Sequence, residues 1–316
     1  MPRRIVRGRF APSPTGALHV GTAWSALLGW LRVRGQGGAF VLRVEDLDAP
    51  RVVPGAAEAM LEDLRWLGLD WDEGPDVGGP HGPYVQSARL DLYADATARL
   101  EAEGHVYPCT CSRKEVAQIA SAPHGPDGPV YPGTCRAGPR HPRRPAALRL
   151  RMPEPPPAFV DLVAGPSAPG LGRGDFVVRR KDGVFAYQLA VVVDDAAMGI
   201  TEVLRGADLL GSTPRQIALY RALERPVPAF AHVPLLHGPD GARLAKRHGA
   251  IAIRELRDAG WRAEALIGAL AHLAGLRPDP APVAAKALVG ELALEGLPAG
   301  PLSWPPAALS ALPTPR

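Results

Sequence analysis

Arg4-Ile5-Val6-Arg7-Gly8-Arg9-Phe10-Ala11-Pro12-Ser13-Pro14-Thr15-Gly16-Ala17-Leu18-His19-Val20-Gly21-Thr22 is the stretch on which the fold turns. Its first seven residues predict a short strand, which Pro12, Pro14 and Gly16 prevent from continuing. From Leu18 onward, apolar residues fall at positions 20, 24, 27, 28 and 31, the spacing of a helix with one buried face. A strand that turns directly into a helix leaves unpaired N–H groups, and the positive end of the helix dipole, facing whatever binds there. Such an end suits an anion. His19 is expected in the first helical turn, and Gly21 would let a ligand come closer to the backbone than a side chain allows.

Working outward, the first hundred residues alternate strand and helix. Strands are predicted near Ile5–Phe10 and Phe40–Val44, and helices near Leu18–Val33, Gly55–Leu67 and Ser87–Glu103. That alternation predicts an α/β fold, a Rossmann-like parallel sheet with crossover helices. Ligands of open parallel sheets bind beyond the carboxyl ends of the strands, where Arg9 and Glu45 would emerge. Irregular, Pro-rich sequence from 105 to 175 reads as an insert. The sheet is expected to resume with Asp175–Val178, Ala186–Val193 and Gly199–Leu204, and a helix pair to follow between Ile251 and Leu276. The expected organisation is therefore residues 1–104 and 176–250 as two halves of one nucleotide-binding domain, 105–175 as an insert, and 251–316 as a short helical C-terminal region. Gly170-Leu171-Gly172-Arg173-Gly174 is glycine-rich but lacks the strand–helix context of a dinucleotide loop.

Of the 316 residues, 46% are hydrophobic, enough for a large core, and no run approaches the length of a membrane span. With no apolar N-terminal stretch, a cytoplasmic protein without a membrane partner is expected. The formal charge of +4 permits an RNA partner without requiring one. Arg136, Arg140, Arg143, Arg144, Arg149 and Arg151 form a cluster that is the candidate footprint for phosphates, a solvated loop face being the alternative.

A second motif, Arg243-Leu244-Ala245-Lys246-Arg247, follows a Gly-rich turn. Only four of the 36 cationic side chains are lysines (Lys114, Lys181, Lys246 and Lys286). A lysine kept in such a chain suggests that a compact, mobile ammonium is wanted, able to follow a phosphate as a point charge.

His19-Val20-Gly21-Thr22 resembles the first signature of the class I aminoacyl-tRNA synthetases, and Leu244-Ala245-Lys246-Arg247 resembles the second. The surrounding text is similar to the glutamyl branch, notably Arg9–Gly16, Arg43-Val44-Glu45-Asp46-Leu47-Asp48, Asp70-Trp71-Asp72-Glu73-Gly74-Pro75 and Ala190–Asp195. Within that branch it looks most like the shortened paralogues that attach glutamate to queuosine in the anticodon of tRNA(Asp). The few residues after the Lys246 loop agree, since an anticodon-binding domain would need more chain. The resemblance spans about residues 5–250.

It implies ATP as substrate with Mg²⁺, L-glutamate activated as glutamyl-adenylate, and tRNA(Asp) bearing queuosine as acceptor. His19, Gly21 and Lys246 would bind ATP, with His19 and Lys246 in catalytic roles. Arg9, Phe10, Ala11, Pro12, Ser13, Glu45, Tyr187 and Arg205 match the family's glutamate-binding positions. Charge logic agrees: arginine forks suit the side-chain carboxylate and a carboxylate suits the ammonium. Asp194 and Asp195 end an apolar run and stay unassigned. In the second signature, Arg243 and Ala245 stand where the family has Lys and Ser, and Ala245 removes a hydroxyl. An enzyme acting at the tRNA acceptor end and a non-catalytic glutamate- or RNA-binding relative are the alternatives.

All three cysteines lie between Cys109 and Cys135, an odd number unsuited to a secreted disulfide framework. Cys109, Cys111 and Cys135 lack one donor for a tetrahedral structural zinc site, with His124, Tyr131 and His141 as candidates. The resemblance assigns that place to Tyr131, giving a zinc-stapled insert.

Overall fold

The computed structural model describes residues 6–119, 130–238, 241, 244, 251–298 and 300–304. The opening stretch forms a strand, β1 (Arg7–Phe10), then a proline-rich turn, then a helix, α1 (Val20–Gly35). A second strand, β2 (Ala39–Leu42), returns parallel to β1 in the register Arg7↔Ala39 to Phe10↔Leu42. The return is tight. A Cβ on Gly38 would lie 2.1 Å from the carbonyl oxygen of Val6, so only glycine lets the chain close there. Next come α2 (Ala56–Trp66) and α3 (Leu90–Ala102).

Residues 105–175 contribute β3 (Val106–Cys109), α4 (Arg113–Ile119), β4 (Ala147–Leu150), β5 (Val160–Asp161) and β6 (Gly165–Pro166), and β7 (Phe176–Arg179) follows directly. α4 opens on a reciprocal cap: the Ser112 N–H donates to the Glu115 carboxylate at 2.7 Å, and the Glu115 N–H to the Ser112 hydroxyl at 3.2 Å. After it run α5 (Tyr187–Ala197), β8 (Glu202–Gly206), α6 (Thr213–Ala222), β9 (Ala229–Val233), β10 (Leu236–His237), α7 (Ile253–Asp258), α8 (Ala263–Leu273) and β11 (Leu302–Ser303).

β8 and β9 pair in parallel, and the Thr201 amide donates to the Arg7 carbonyl at 2.9 Å, which sets β8 beside β1. The strands thus lie in the order β2, β1, β8, β9. Both faces are covered, as a parallel sheet requires. Phe40, Leu42, Leu204, Ala231 and Val233 point into one core, with Trp24, Leu27, Leu28 and Leu31 of α1 and Ile253, Leu266 and Leu270 beyond it. Val41, Val203 and Phe230, one residue out of step, point into the other, formed with Tyr93 and Leu100 of α3, Leu189 and Val192 of α5, and Ile217 and Leu219 of α6. The period-two alternation of strand side chains builds both cores.

Two expectations for the second half need correction. Ala186–Val193 is not a strand; it belongs to α5. A short β-branched apolar run reads equally as buried strand or buried helix, and here the run continues through Asp194 and Asp195 to Ala197 with Leu189, Ala190, Val191 and Val192 buried. Phe176–Arg179 is a strand, but it does not resume the parallel sheet. It pairs antiparallel with β4, in a three-stranded sheet ordered β3-β4-β7. Local pattern gives the strand; its partner is decided by long-range register.

Candidate active site

The turn after β1, the end of β2, the first turn of α5 and the end of β8 surround one cleft of about 630 Å³. Arg9, Phe10, Ala11, Pro12, Ser13, His19, Gly21, Glu45, Tyr187 and Arg205 all line it. His19 is the N-cap of α1 rather than a residue of its first turn, with φ −104° and ψ 159°. A Cβ on Gly21 would meet no atom within 4 Å, so this glycine leaves the floor of the cleft open.

Lys246 lies outside the described residues, as do Arg243, Ala245 and Arg247. Its described flanks are fixed at the cleft. Leu244 lines it, with its N–H donating to the Leu236 carbonyl at 3.1 Å. On the far side, the Val20 N–H donates to the Ile251 carbonyl at 3.2 Å, and the Ile253 N–H to the Leu18 carbonyl at 2.8 Å.

Beneath the cleft is a buried lattice of charge that the sequence reading did not assign. Arg43, fully buried, donates from Nη1 to Asp195 at 2.7 Å and from Nη2 to Glu45 at 3.1 Å, and its Nε lies 3.5 Å from Asp194. Arg9 donates from Nε to Asp195 at 3.2 Å. Asp194 accepts from Arg89, Gln86 and the Tyr93 hydroxyl at 2.6, 2.8 and 2.8 Å. A buried charge is tolerable only when paired in this way. Burial pushes the Asp195 carboxyl up, but Arg9 and Arg43 outweigh it and hold the group below the usual carboxylate range. Glu45 goes the other way: burial dominates over Arg43 and Arg9 and raises its pKa. The sequence did hold a signal, since Arg43 and Glu45 are two residues apart at a strand end and share a face.

Arg205 is supported differently. Its Nε donates to His232 Nε2 at 3.0 Å and its Nη2 to the Thr213 hydroxyl at 2.9 Å, while buried Nη1 finds no acceptor among the described residues. A buried donor left unpaired is costly, so this guanidinium is suited to receive an anion.

In the insert, the Sγ atoms of Cys109, Cys111 and Cys135 lie within 4.8 Å of one another, Cys111 and Cys135 3.6 Å apart. Tetrahedral coordination at about 2.3 Å would put sulfurs roughly 3.8 Å apart, so the trio fits a zinc ion. The Tyr131 hydroxyl is 3.3 Å from Cys109 Sγ and 3.7 Å from Cys111 Sγ. Of the other candidates, His141 points its Nε2 at Glu115, 2.9 Å away, and His124 lies outside the described residues.

Much of the arginine cluster is committed internally. Arg136 and Arg149 serve Asp175 (Arg149 through its carbonyl), Arg144 serves Glu115, and Arg151 lies over the Tyr107 ring. Lys114, Arg149, Arg180 and Lys181 line a concavity of about 990 Å³ beside the cysteines. No helix among the described residues is long and apolar enough to cross a membrane.

The family described as tRNA synthetases class I (E and Q), catalytic domain, matches residues 5–281. The chain is 58% identical over 316 aligned residues to a glutamyl-Q tRNA(Asp) synthetase of Symbiobacterium thermophilum, covering 96% of this chain and 98% of that one. It is 48% identical to a glutamate–tRNA ligase of Anaeromyxobacter sp., covering 84% of this chain but 57% of the ligase. The crystal structure of a glutamate-tRNA synthetase from Elizabethkingia anophelis superposes with a TM-score of 0.83 at 30% identity, over 96% of this chain and 68% of that one.

Proposed function

Because the chain belongs to the class I tRNA synthetases of the E and Q group, we propose that it catalyses the reaction of its glutamyl-Q tRNA(Asp) relatives. L-Glutamate is activated with ATP and transferred to queuosine in the anticodon of tRNA(Asp). The observation that carries this reading is the joint lining of one cleft by a phosphate-type helix start and an amino-acid-type charge set. The 58% identity to a relative named for glutamyl-Q tRNA(Asp), against 48% to a glutamate–tRNA ligase, favours queuosine as the acceptor.

In this reading Glu45 receives the α-ammonium of glutamate, Arg205 and Arg9 face its side-chain carboxylate, and Tyr187 and the Phe10–Ser13 turn close the pocket. The α-carboxylate attacks the α-phosphorus of ATP, forming glutamyl-adenylate and releasing pyrophosphate. His19 and the α1 N-terminus stabilise charge on the phosphates, Gly21 admits them to the backbone, and Lys246 follows the leaving pyrophosphate. Mg²⁺ enters with the nucleotide. The adenylate then passes glutamate to a queuosine hydroxyl, releasing AMP. Residues 1–104 and 176–250 form the catalytic domain, with α7 and α8 packed beside it. In the 105–175 insert, Cys109, Cys111, Cys135 and Tyr131 hold one structural zinc, which offers folding energy where the hydrophobic cluster is small. The concavity lined by Lys114, Arg149, Arg180 and Lys181 suits the phosphates of the tRNA.

The test supplies ATP, labelled glutamate and tRNA(Asp) with or without queuosine. Label confined to queuosine-bearing tRNA is expected. Label at the acceptor end, or no activation of glutamate, would refute the assignment. Lys246→Ala is expected to lose glutamate-dependent pyrophosphate exchange by about 10²–10³ while remaining folded.

A further inference from the structure

Arg205 on β8 stands directly across the parallel ladder from His232 on β9. His232 Nε2 meets Arg205 Nε at 3.0 Å, and His232 Nδ1 meets Asp161 Oδ2 on β5 at 2.6 Å. Asp161 Oδ1 is anchored by three backbone N–H groups, those of Val163, Ala164 and His232, at 3.0, 2.9 and 3.0 Å. All three side chains are buried.

The positions of the protons follow from the donors. An arginine Nε–H can only donate, so Nε2 of His232 must present its lone pair, and the ring proton must sit on Nδ1, given to the Asp161 carboxylate. A doubly protonated ring would set N–H against N–H. Burial and Arg205 both push His232 below its usual range, while Asp161 opposes them. Among the described residues, Arg205 therefore rests on neutral acceptors: an imidazole, the Thr213 hydroxyl and the Leu209 carbonyl. Arg9 and Arg43, by contrast, are each paired directly with Asp195.

We propose that the Asp161–His232 pair is the positioning element that presents Arg205 to the side-chain carboxylate of the amino acid, and that the neutral Nε2 acceptor makes the site prefer a carboxylate over a carboxamide. The proposal rests on the glutamate-activating function above. A guanidinium held by a carboxylate would already be neutralised; held by a neutral ring, it keeps its charge for the ligand. An arriving carboxylate satisfies it, whereas a carboxamide leaves a buried cation uncompensated.

Asp161→Asn tests this with one atom changed. The amide oxygen can still accept the three backbone N–H groups, but its NH₂ now faces His232 Nδ1. The ring proton must then move to Nε2 and oppose the Arg205 Nε–H. In glutamate-dependent pyrophosphate exchange, KM for glutamate is expected to rise about tenfold or more with KM for ATP unchanged. The preference for glutamate over glutamine should fall by a similar factor. Adding His232→Gln, whose amide can turn its carbonyl toward Arg205 whatever stands at 161, should recover most of both losses. An Asp161→Asn variant with unaltered glutamate KM and selectivity, an equal loss toward ATP, or no recovery in the double variant would overturn the proposal. Should Asp161→Asn not fold, the ring ¹⁵N shifts of the unaltered protein decide: Nδ1 protonated and Nε2 bare is expected, and Nε2 protonated would overturn it. Failure of the unaltered protein to exchange at all would instead sink the proposed function itself.

Discussion

Arg9 at the end of β1 and Asp195 in α5, 186 residues apart, form a buried ion pair with Nε 3.2 Å from Oδ2, and Asp195 also accepts from Arg43 at 2.7 Å. One carboxylate thus orients an arginine in the cleft and the arginine that supports Glu45.

Asp195→Asn should expose how much this carboxylate does. Removing its charge leaves two buried guanidinium groups short of compensation, a change that typically costs about 3–5 kcal/mol. Urea melts at neutral pH should report a loss of that size, and glutamate KM should rise because Arg9 and Glu45 lose their shared anchor. A melt unchanged within about 1 kcal/mol would argue against the lattice as a stabilising unit.

Glu45→Gln should separate stability from function. The folded pKa of Glu45 is raised by burial above its ordinary value. Stability from such a group is fully present below the unfolded value of about 4.3 and is lost as pH rises through the folded value. The ionised form of Glu45 is therefore the one that costs stability, and the substrate ammonium is what offsets that cost. The variant should melt at the same temperature or higher, while glutamate activation falls on the order of 10².

Asp175 sets part of the acid limit. Burial raises its pKa, but Arg136, the Tyr107 hydroxyl and the Met152 N–H outweigh it, so the folded value lies below the ordinary one. The stability it supplies is present above the unfolded value of about 3.9 and lost as pH falls through the folded value. Below pH 4 the protein should lose stability more steeply than Asp175→Asn does. Parallel pH slopes for the two in thermal melts would count against it.

Metal removal should weaken the insert and leave the cleft intact. Treatment with a strong chelator, or Cys135→Ser, is expected to lower the melting temperature by several degrees and to release about one zinc per chain. Pyrophosphate exchange should outlast the first loss of metal. Purified protein with no zinc by elemental measurement would remove the assignment.

The legible part of the site was local. Prolines after β1, the helical spacing beyond Leu18 and the His19–Thr22 signature predicted a strand, a turn and a helix start, and these stand at the cleft. Ala186–Val193 was misread because a buried helix of Val and Ala carries no periodicity different from a buried strand, and only covering the sheet on its second face makes it helical. Asp161 and His232 carry no motif at all; they matter because β5 and β9 meet.

By itself, then, the sequence determined what is encoded over one turn or one strand: where the chain bends, which faces are apolar, which residue types stand ready for phosphate and carboxylate. Tertiary structure alone decided the pairings of Arg9 with Asp195, Arg43 with Asp195 and Arg205 with His232. These span from 27 to 186 residues, and a buried charge has no partner until folding removes the water that would otherwise satisfy it.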